Sequence, residues 1–206
     1  MFLFRNSFPD IKSNIRFLHA VPESISVDIY ANGNLIYSNL SFGEISNYID
    51  MAPGKYNIKL YKAYTYDDPL LSETIEVLPL SSSTININYE DNEVSLLKLD
   101  DGESEANPLL SYVRFINLSP NSFNLSLSLP NGPILFDETP YLEITDYYPV
   151  SPGIYNFVVS DKNNFSKFIS NIDLGKNVFI TIYIVGLLND TPRIGYVLTK
   201  DVYKKS

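Results

Sequence analysis

The chain has 206 residues, 45% of them hydrophobic, with no cysteine, no tryptophan, one histidine and a net charge of −9. Without cysteine there are no disulfides, thiolate nucleophiles or cysteine-ligated metals, and one histidine rules out a histidine-rich zinc site within a single chain. The acidic balance lacks the basic footprint that nucleic acid or an anionic lipid surface requires, so neither a nucleic-acid partner nor a cofactor is expected, while oxygen-ligated calcium stays open.

The chain opens on MFLFRNSFPDIK, with four apolar residues before Arg5. That is shorter than the apolar region of about 7–15 residues that a secretory leader needs. Residues 1–14 read as an N-terminal arm that either pads an edge of its own sandwich or adds a strand to a neighbouring subunit. No run reaches the roughly 20 apolar residues of a spanning helix, so no membrane insertion is expected.

From residue 15 the pattern is that of β-strands. IRFLHAVPES reads as a strand and loop, and SVDIY alternates Val27 and Ile29 with polar neighbours. Asn32-Gly33 then separates two apolar runs, which is the strongest short-range hairpin signal because both turn residues need positive φ. Pro53-Gly54 fits the central positions of a type II turn. KYNIKLY places Tyr56, Ile58 and Leu60 on one face, a strict period of two. ETIEVLPL and TININYE continue the pattern, and no amphipathic helix interrupts it. VFITIYIVGLL (178–188) reads as a buried strand.

The chain also repeats itself. NGNLIYSNLSFGEISNYIDMAPGKYNI (32–58) aligns with NGPILFDETPYLEITDYYPVSPGIYNF (131–157) at an offset of 99, and IRFLHAVPES aligns with VRFINLSPNS at an offset of 98. The ends match as well, SLLKLDD (95–101) with GYVLTKD (195–201). The reading is an all-β chain of two tandem immunoglobulin-like or transthyretin-like antiparallel β-sandwiches of about seven strands each. The first repeat covers 15–100 and the second 111–206, joined by an acidic linker at 101–110.

Candidate residues follow from what both copies keep. Arg16 and Arg114 sit between apolar strand residues, with Glu44 and Glu143 as natural partners in the same domain. Tyr48 with Tyr147, Pro53-Gly54 with Pro152-Gly153, and Tyr56 with Tyr155 recur at one offset, as Pro22 recurs at Pro120. His19 has Asn117 as its counterpart. Both are planar polar groups that offer a donor and an acceptor to a loop backbone, but asparagine is no general base. No nucleophile motif accompanies His19, so no catalytic residue is assigned. The acidic clusters YDDP, YEDNE and DDGESE read as solvated tips or linker. Tyr30, Tyr37, Tyr61, Tyr64 and Tyr66 form a set able to line a carbohydrate or peptide surface.

Arg16, His19 and Pro22, then Val27, Asp28 and Tyr30, Asn32-Gly33, Phe42-Gly43, Ser46, Tyr48, and Pro53-Gly54 with Tyr56 resemble the signature of domain of unknown function 4397. The first copy matches closely. The second keeps Arg114, Pro120, Tyr147, Pro152, Gly153 and Tyr155 but has Asn117, Ser126 and Tyr141-Leu142 at the other positions. The resemblance implies a β-sandwich found mostly in bacterial cell-surface and secreted proteins, often in tandem, with no assigned activity. The asparagine, isoleucine, lysine and tyrosine usage suits a clostridium-like genome. A surface-type domain without a leader suggests either the cytoplasm or assembly from the mother-cell cytosol onto a spore surface. The expected function is a non-enzymatic surface or structural module working by self-association or contact with other surface proteins. The alternative is a carbohydrate- or ligand-binding module using loops at one end of the sandwich.

Overall fold

A computed structural model of the chain describes residues 12–102 and 106–202. Among these residues there are sixteen strands and no helix. The first copy forms β1 (Ser13–His19), β2 (Val27–Ala31), β3 (Asn34–Leu40), β4 (Ile49–Met51), β5 (Gly54–Lys62), β6 (Leu71–Val77), β7 (Ser82–Glu90) and β8 (Glu93–Asp100). The second forms β9 (Ser111–Asn117), β10 (Leu125–Ser128), β11 (Ile134–Thr139), β12 (Tyr148–Val150), β13 (Gly153–Ser160), β14 (Ser166–Leu174), β15 (Phe179–Val185) and β16 (Gly195–Asp201). Each copy is a sandwich of two four-stranded sheets, ordered β4-β1-β7-β8 over β3-β2-β5-β6 and β12-β9-β15-β16 over β11-β10-β13-β14.

The sandwiches are not wholly antiparallel. β1 runs parallel to β7, and β9 parallel to β15. A parallel pair leaves no local sequence signature, because its crossover passes through the opposite sheet. The strand beyond the expected seven is a three-residue edge, β4 or β12, too short to show a period. β1 starts at Ser13, inside the stretch assigned to the arm. Residues 1–11 of that arm, and with them its expected strand addition or edge padding, lie outside the described residues.

Alternation accounts for the sandwich cores. Ile15, Phe17, Ile85 and Ile87 face Val27, Ile29, Ile58, Leu60, Ile75 and Val77 in the first copy. Val113, Phe115, Ile180 and Ile182 face Leu125, Leu127, Phe157, Val159 and Ile169 in the second. In β1, β7, β9 and β15, however, the other face is buried too: every residue of β9 and β15 is buried. A third cluster explains this. Leu18 and Leu99 of the first copy pack with Ile116, Leu118, Tyr183 and Val185 of the second. The two inner sheets therefore stack on each other, and the copies share a core.

The turns show how local chemistry was overridden in places. Asn32 (φ 48°) and Gly33 (φ 81°) adopt the doubly positive conformation that their hairpin needs. The expected type II turn at Pro53-Gly54 does not form, since Gly54 has φ 151° and opens β5 by pairing with Val77. Gly153 likewise pairs with Leu174 at the start of β13. Strand pairing extends these glycines, and the preceding proline sits where no ladder donor is required. Tyr56 and Tyr155 then donate their hydroxyls to the carbonyls of Ala52 (2.9 Å) and Ser151 (2.7 Å), tying strand to turn in both copies.

Candidate functional site

The residues kept in both copies converge on one place, the plane between the inner sheets. Arg16 projects from β1 on the face opposite Ile15 and Phe17. Its Nε donates to Thr84 Oγ1 (2.8 Å), its Nη1 to Lys200 O (3.0 Å), and its Nη2 to Thr199 Oγ1 (3.2 Å) and the Asp201 carboxylate. Arg114 repeats the pattern from β9. Its Nε donates to Thr181 Oγ1 (2.9 Å), its Nη1 to Asp100 O (2.7 Å) and its Nη2 to Asp101 Oδ1 (2.8 Å). Each arginine thus reaches the last strand of the other copy. Tyr48 and Tyr147 complete the lattice. Each ring lies 4.5 Å from the guanidinium carbon of its own copy's arginine, and each hydroxyl donates to a carboxylate, Asp101 and Asp201 respectively, at 2.7 Å.

All four charges are buried: Arg16 is 4% exposed, Arg114 3%, Asp101 6% and Asp201 8%. Two positive and two negative groups cancel, and threonine hydroxyls occupy further carboxylate lone pairs, Thr84 on Asp101 and Thr181 on Asp201. Buried ions persist only when paired and hydrogen-bonded in this way. Burial works against both guanidinium charges, but the carboxylates and the facing phenols raise both pKa values overall. Burial, and then the carboxylates, push the Tyr48 and Tyr147 phenols upward. Burial, and then Asp201, raise the Asp101 carboxyl against the pull of Arg16 and Arg114.

This geometry corrects two expectations. The arginines pair with aspartates of the opposite copy, not with Glu44 or Glu143. Both glutamates are exposed; Glu44 accepts the Ser41 amide at 2.9 Å, and Glu143 sits in a turn onto Pro140 O. The acidic linker, expected in solvent from residue 101, begins with a fully committed buried ion in Asp101, while 103–105 lie outside the described residues. Asp101 and Asp201 were already superimposed by the repeat of SLLKLDD on GYVLTKD. An aspartate repeated at the end of an apolar strand was the available signal.

His19 ends β1 and is 1% exposed. Its Nδ1 accepts the Val21 amide (3.3 Å), and its Nε2 lies 3.2 Å from Ile25 O and 3.1 Å from Ser24 Oγ. Asn117 does the same work: its Oδ1 accepts the Ser119 amide (3.1 Å), and its Nδ2 donates to Ser122 Oγ (3.0 Å). Both hold the loop that carries Pro22 or Pro120. Burial lowers the His19 pKa and favours the neutral ring. Among the described residues, no three histidine, aspartate or glutamate side chains come together as a metal-holding group, and no helix is long and apolar enough to cross a membrane.

The outer sheets have diverged. In the first copy Asp28 accepts the Asn39 amide (2.7 Å) and the Tyr64 amide (2.9 Å), so it fixes both a bulge in β3 and the loop after β5. That loop lays Tyr66 on Tyr61, stacked at 4.6 Å, and against Tyr30 at 4.9 Å. Tyr37 packs against the core instead, and Tyr64 is exposed. In the second copy Ser126 replaces Asp28. Its hydroxyl accepts the Glu138 amide (2.9 Å), which keeps the bulge, but it has no second oxygen for a loop.

Fold and lattice together define a class: a tandem β-sandwich whose copies are fused about a pseudo-two-fold axis. The sequence matches the family described as Domain of unknown function (DUF4397) over residues 13–128 and 111–205, and the chain belongs to that family. A comparison with curated proteins finds no match.

Proposed function

We propose that this chain is a non-enzymatic surface or structural module that works by self-association. The observation that carries the reading is the apolar outer sheet of the second copy. Ile154 (74% exposed), Val158 and Phe168 (56% exposed) stand on β13 and β14, with Val158 directly opposite Phe168. The equivalent positions in the first copy are Lys55, Lys59 and Ser72, with Lys59 opposite Ser72. One repeat keeps a solvated face while the other has exchanged it for a contact surface. The buried lattice supports a mechanical role, because it spends the repeated ionisable groups on joining the copies. A bacterial cell-envelope or spore-surface location rests on the family resemblance.

Light scattering and negative-stain microscopy across the micromolar to millimolar range test the proposal. The wild-type chain is expected to form dimers or larger assemblies, and Ile154→Lys with Phe168→Ser to return it to monomers. A wild-type chain that stays monomeric throughout, or an assembly indifferent to those substitutions, refutes it.

A further inference from the structure

The exchange of Asp28 for Ser126 has opened a second feature, at the other end of the same outer sheet. In the first copy the outer face over β2 and β5 is filled by its own rings: Tyr30, Tyr61 and the Tyr66 that the loop delivers. The pairing Asp28↔Tyr61 corresponds to Ser126↔Ser160, and Tyr30↔Lys59 to Ser128↔Val158. Two tyrosines have become serines. The covering loop is also gone. The segment from Ala63 to Leu70 is replaced by a hairpin in which Asp161 accepts the amides of Asn163 (2.7 Å) and Phe165 (2.9 Å), closing the turn on itself. What remains is a cleft of about 820 Å³, within the span of roughly 300–1,000 Å³ usual for ligand sites.

The chemistry of its lining selects an occupant. The floor carries the hydroxyls of Ser126, Ser128 and Ser160, and Phe123 (58% exposed) and Ile134 (56% exposed) supply apolar walls. Ser128 Oγ reaches Val158 O only at 3.5 Å, too long to satisfy it. Asp137 Oδ1 accepts the Ser126 hydroxyl at 3.0 Å, which poises a carboxylate beside the floor. Lys162 is held by Glu138, so Asp137 and Asp161 leave the cleft net negative. A ring with apolar faces and a rim of hydroxyls matches this set. An aromatic side chain from a partner would match the walls and leave the polar floor unpaired. An anionic ligand meets the wrong sign of charge.

We propose that this cleft binds a neutral saccharide, with one pyranose ring against Phe123 and its hydroxyls on the serine floor and Asp137. The site goes beyond self-association and shares none of the residues that carry that reading. Titration calorimetry of the full chain tests it, with the β-1,4-linked hexamers of glucose and of N-acetylglucosamine, the α-1,4-linked hexamer of glucose, and polygalacturonate as the anionic probe. At least one neutral hexamer is expected to bind. Ser128→Tyr with Ser160→Tyr, which refills the cleft as the first copy fills its own, is expected to weaken that binding by about tenfold or more, as is Phe123→Ala. Asp137→Ala, at an exposed position, gives the same readout should the tyrosine pair fail to fold. Ile154→Lys is expected to leave sugar binding unchanged while it perturbs assembly. The proposal is overturned if no neutral hexamer binds at millimolar concentration, if polygalacturonate binds in preference, or if the refilled cleft and Asp137→Ala both bind as the wild type does.

Discussion

Arg16→Ala removes one of four mutually compensating buried charges and leaves Asp201 only the more distant guanidinium of Arg114, at 3.9 Å. A broken buried pair of this kind costs about 3–5 kcal/mol. Because the partner belongs to the other copy, the loss is expected to lower the unfolding free energy of the whole chain in denaturant titration. A double-mutant cycle of Arg16→Met with Asp201→Asn is expected to show strong coupling; additive effects would mean that the ions do not sense each other. His19 gives a residue-scale prediction with a sign. Its folded pKa lies below the ordinary value of 6.5 because burial favours the neutral ring. Its contribution is therefore complete above pH 6.5 and is lost as the pH falls toward the folded pKa, where the unfolded chain takes up the proton first. His19→Asn adopts the second copy's solution and is expected to flatten the stability profile between pH 8 and pH 5 relative to wild type. Parallel profiles would contradict it. The equivalence of His19 and Asn117 was legible in the sequence, since both are planar and bifunctional. The arginine partners were not, because Asp201 stands 185 residues from Arg16 and no spacing rule spans that gap.

At the scale of elements, hairpins and loops carry the divergence of the copies. Asp28→Ser copies the second repeat's exchange into the first. It keeps an acceptor for the Asn39 amide but takes away that of Tyr64. The expected outcome is faster hydrogen exchange at Tyr64 with little change at Asn39, read residue by residue by NMR. Equal protection at Tyr64 would show that ring stacking alone holds the loop. The hairpin between β15 and β16 has its own constraint. Gly186 has φ 93°, and a Cβ there would lie 2.7 Å from Arg193 O. Gly186→Ala is expected to cost about 1–3 kcal/mol for the strained backbone, checked by the shift in denaturation midpoint. Strand existence was legible here from alternation and from Asn-Gly. Parallel pairing and the extended Pro-Gly starts were not, because both are set by a partner strand remote in sequence.

At the scale of the whole molecule, the lattice is a pseudo-symmetric interface built within one chain. Asp101 accepts its own copy's Tyr48 and Thr84 and the other copy's Arg114. The first copy alone therefore carries the arginine, tyrosine, threonine and aspartate of the Asp101 half, with Leu99 standing where the second copy adds the Thr199 hydroxyl. Residues 12–102 expressed separately are expected to form a homodimer through this isologous face, with Arg16 of each chain on Asp101 of the other. Sedimentation of that fragment and of its Arg16→Ala variant checks this; a stable monomer would show that the second copy supplies something specific.

The sequence by itself determined the all-β class, the two copies and their offset, the hairpin at Asn32-Gly33, the family, and the paired roles of His19 and Asn117. These rest on short-range periodicity, on turn chemistry and on self-similarity, all readable along one dimension. Only the tertiary structure decided that Asp101 is a buried ion and not linker, that Arg16 and Arg114 reach across to the opposite copy, and that two serines leave an open cleft where two tyrosines close one. Each of those depends on which face of one sheet meets another, and that is fixed by the burial of Leu18, Ile116 and Tyr183 against each other over distances in sequence that no local pattern encodes.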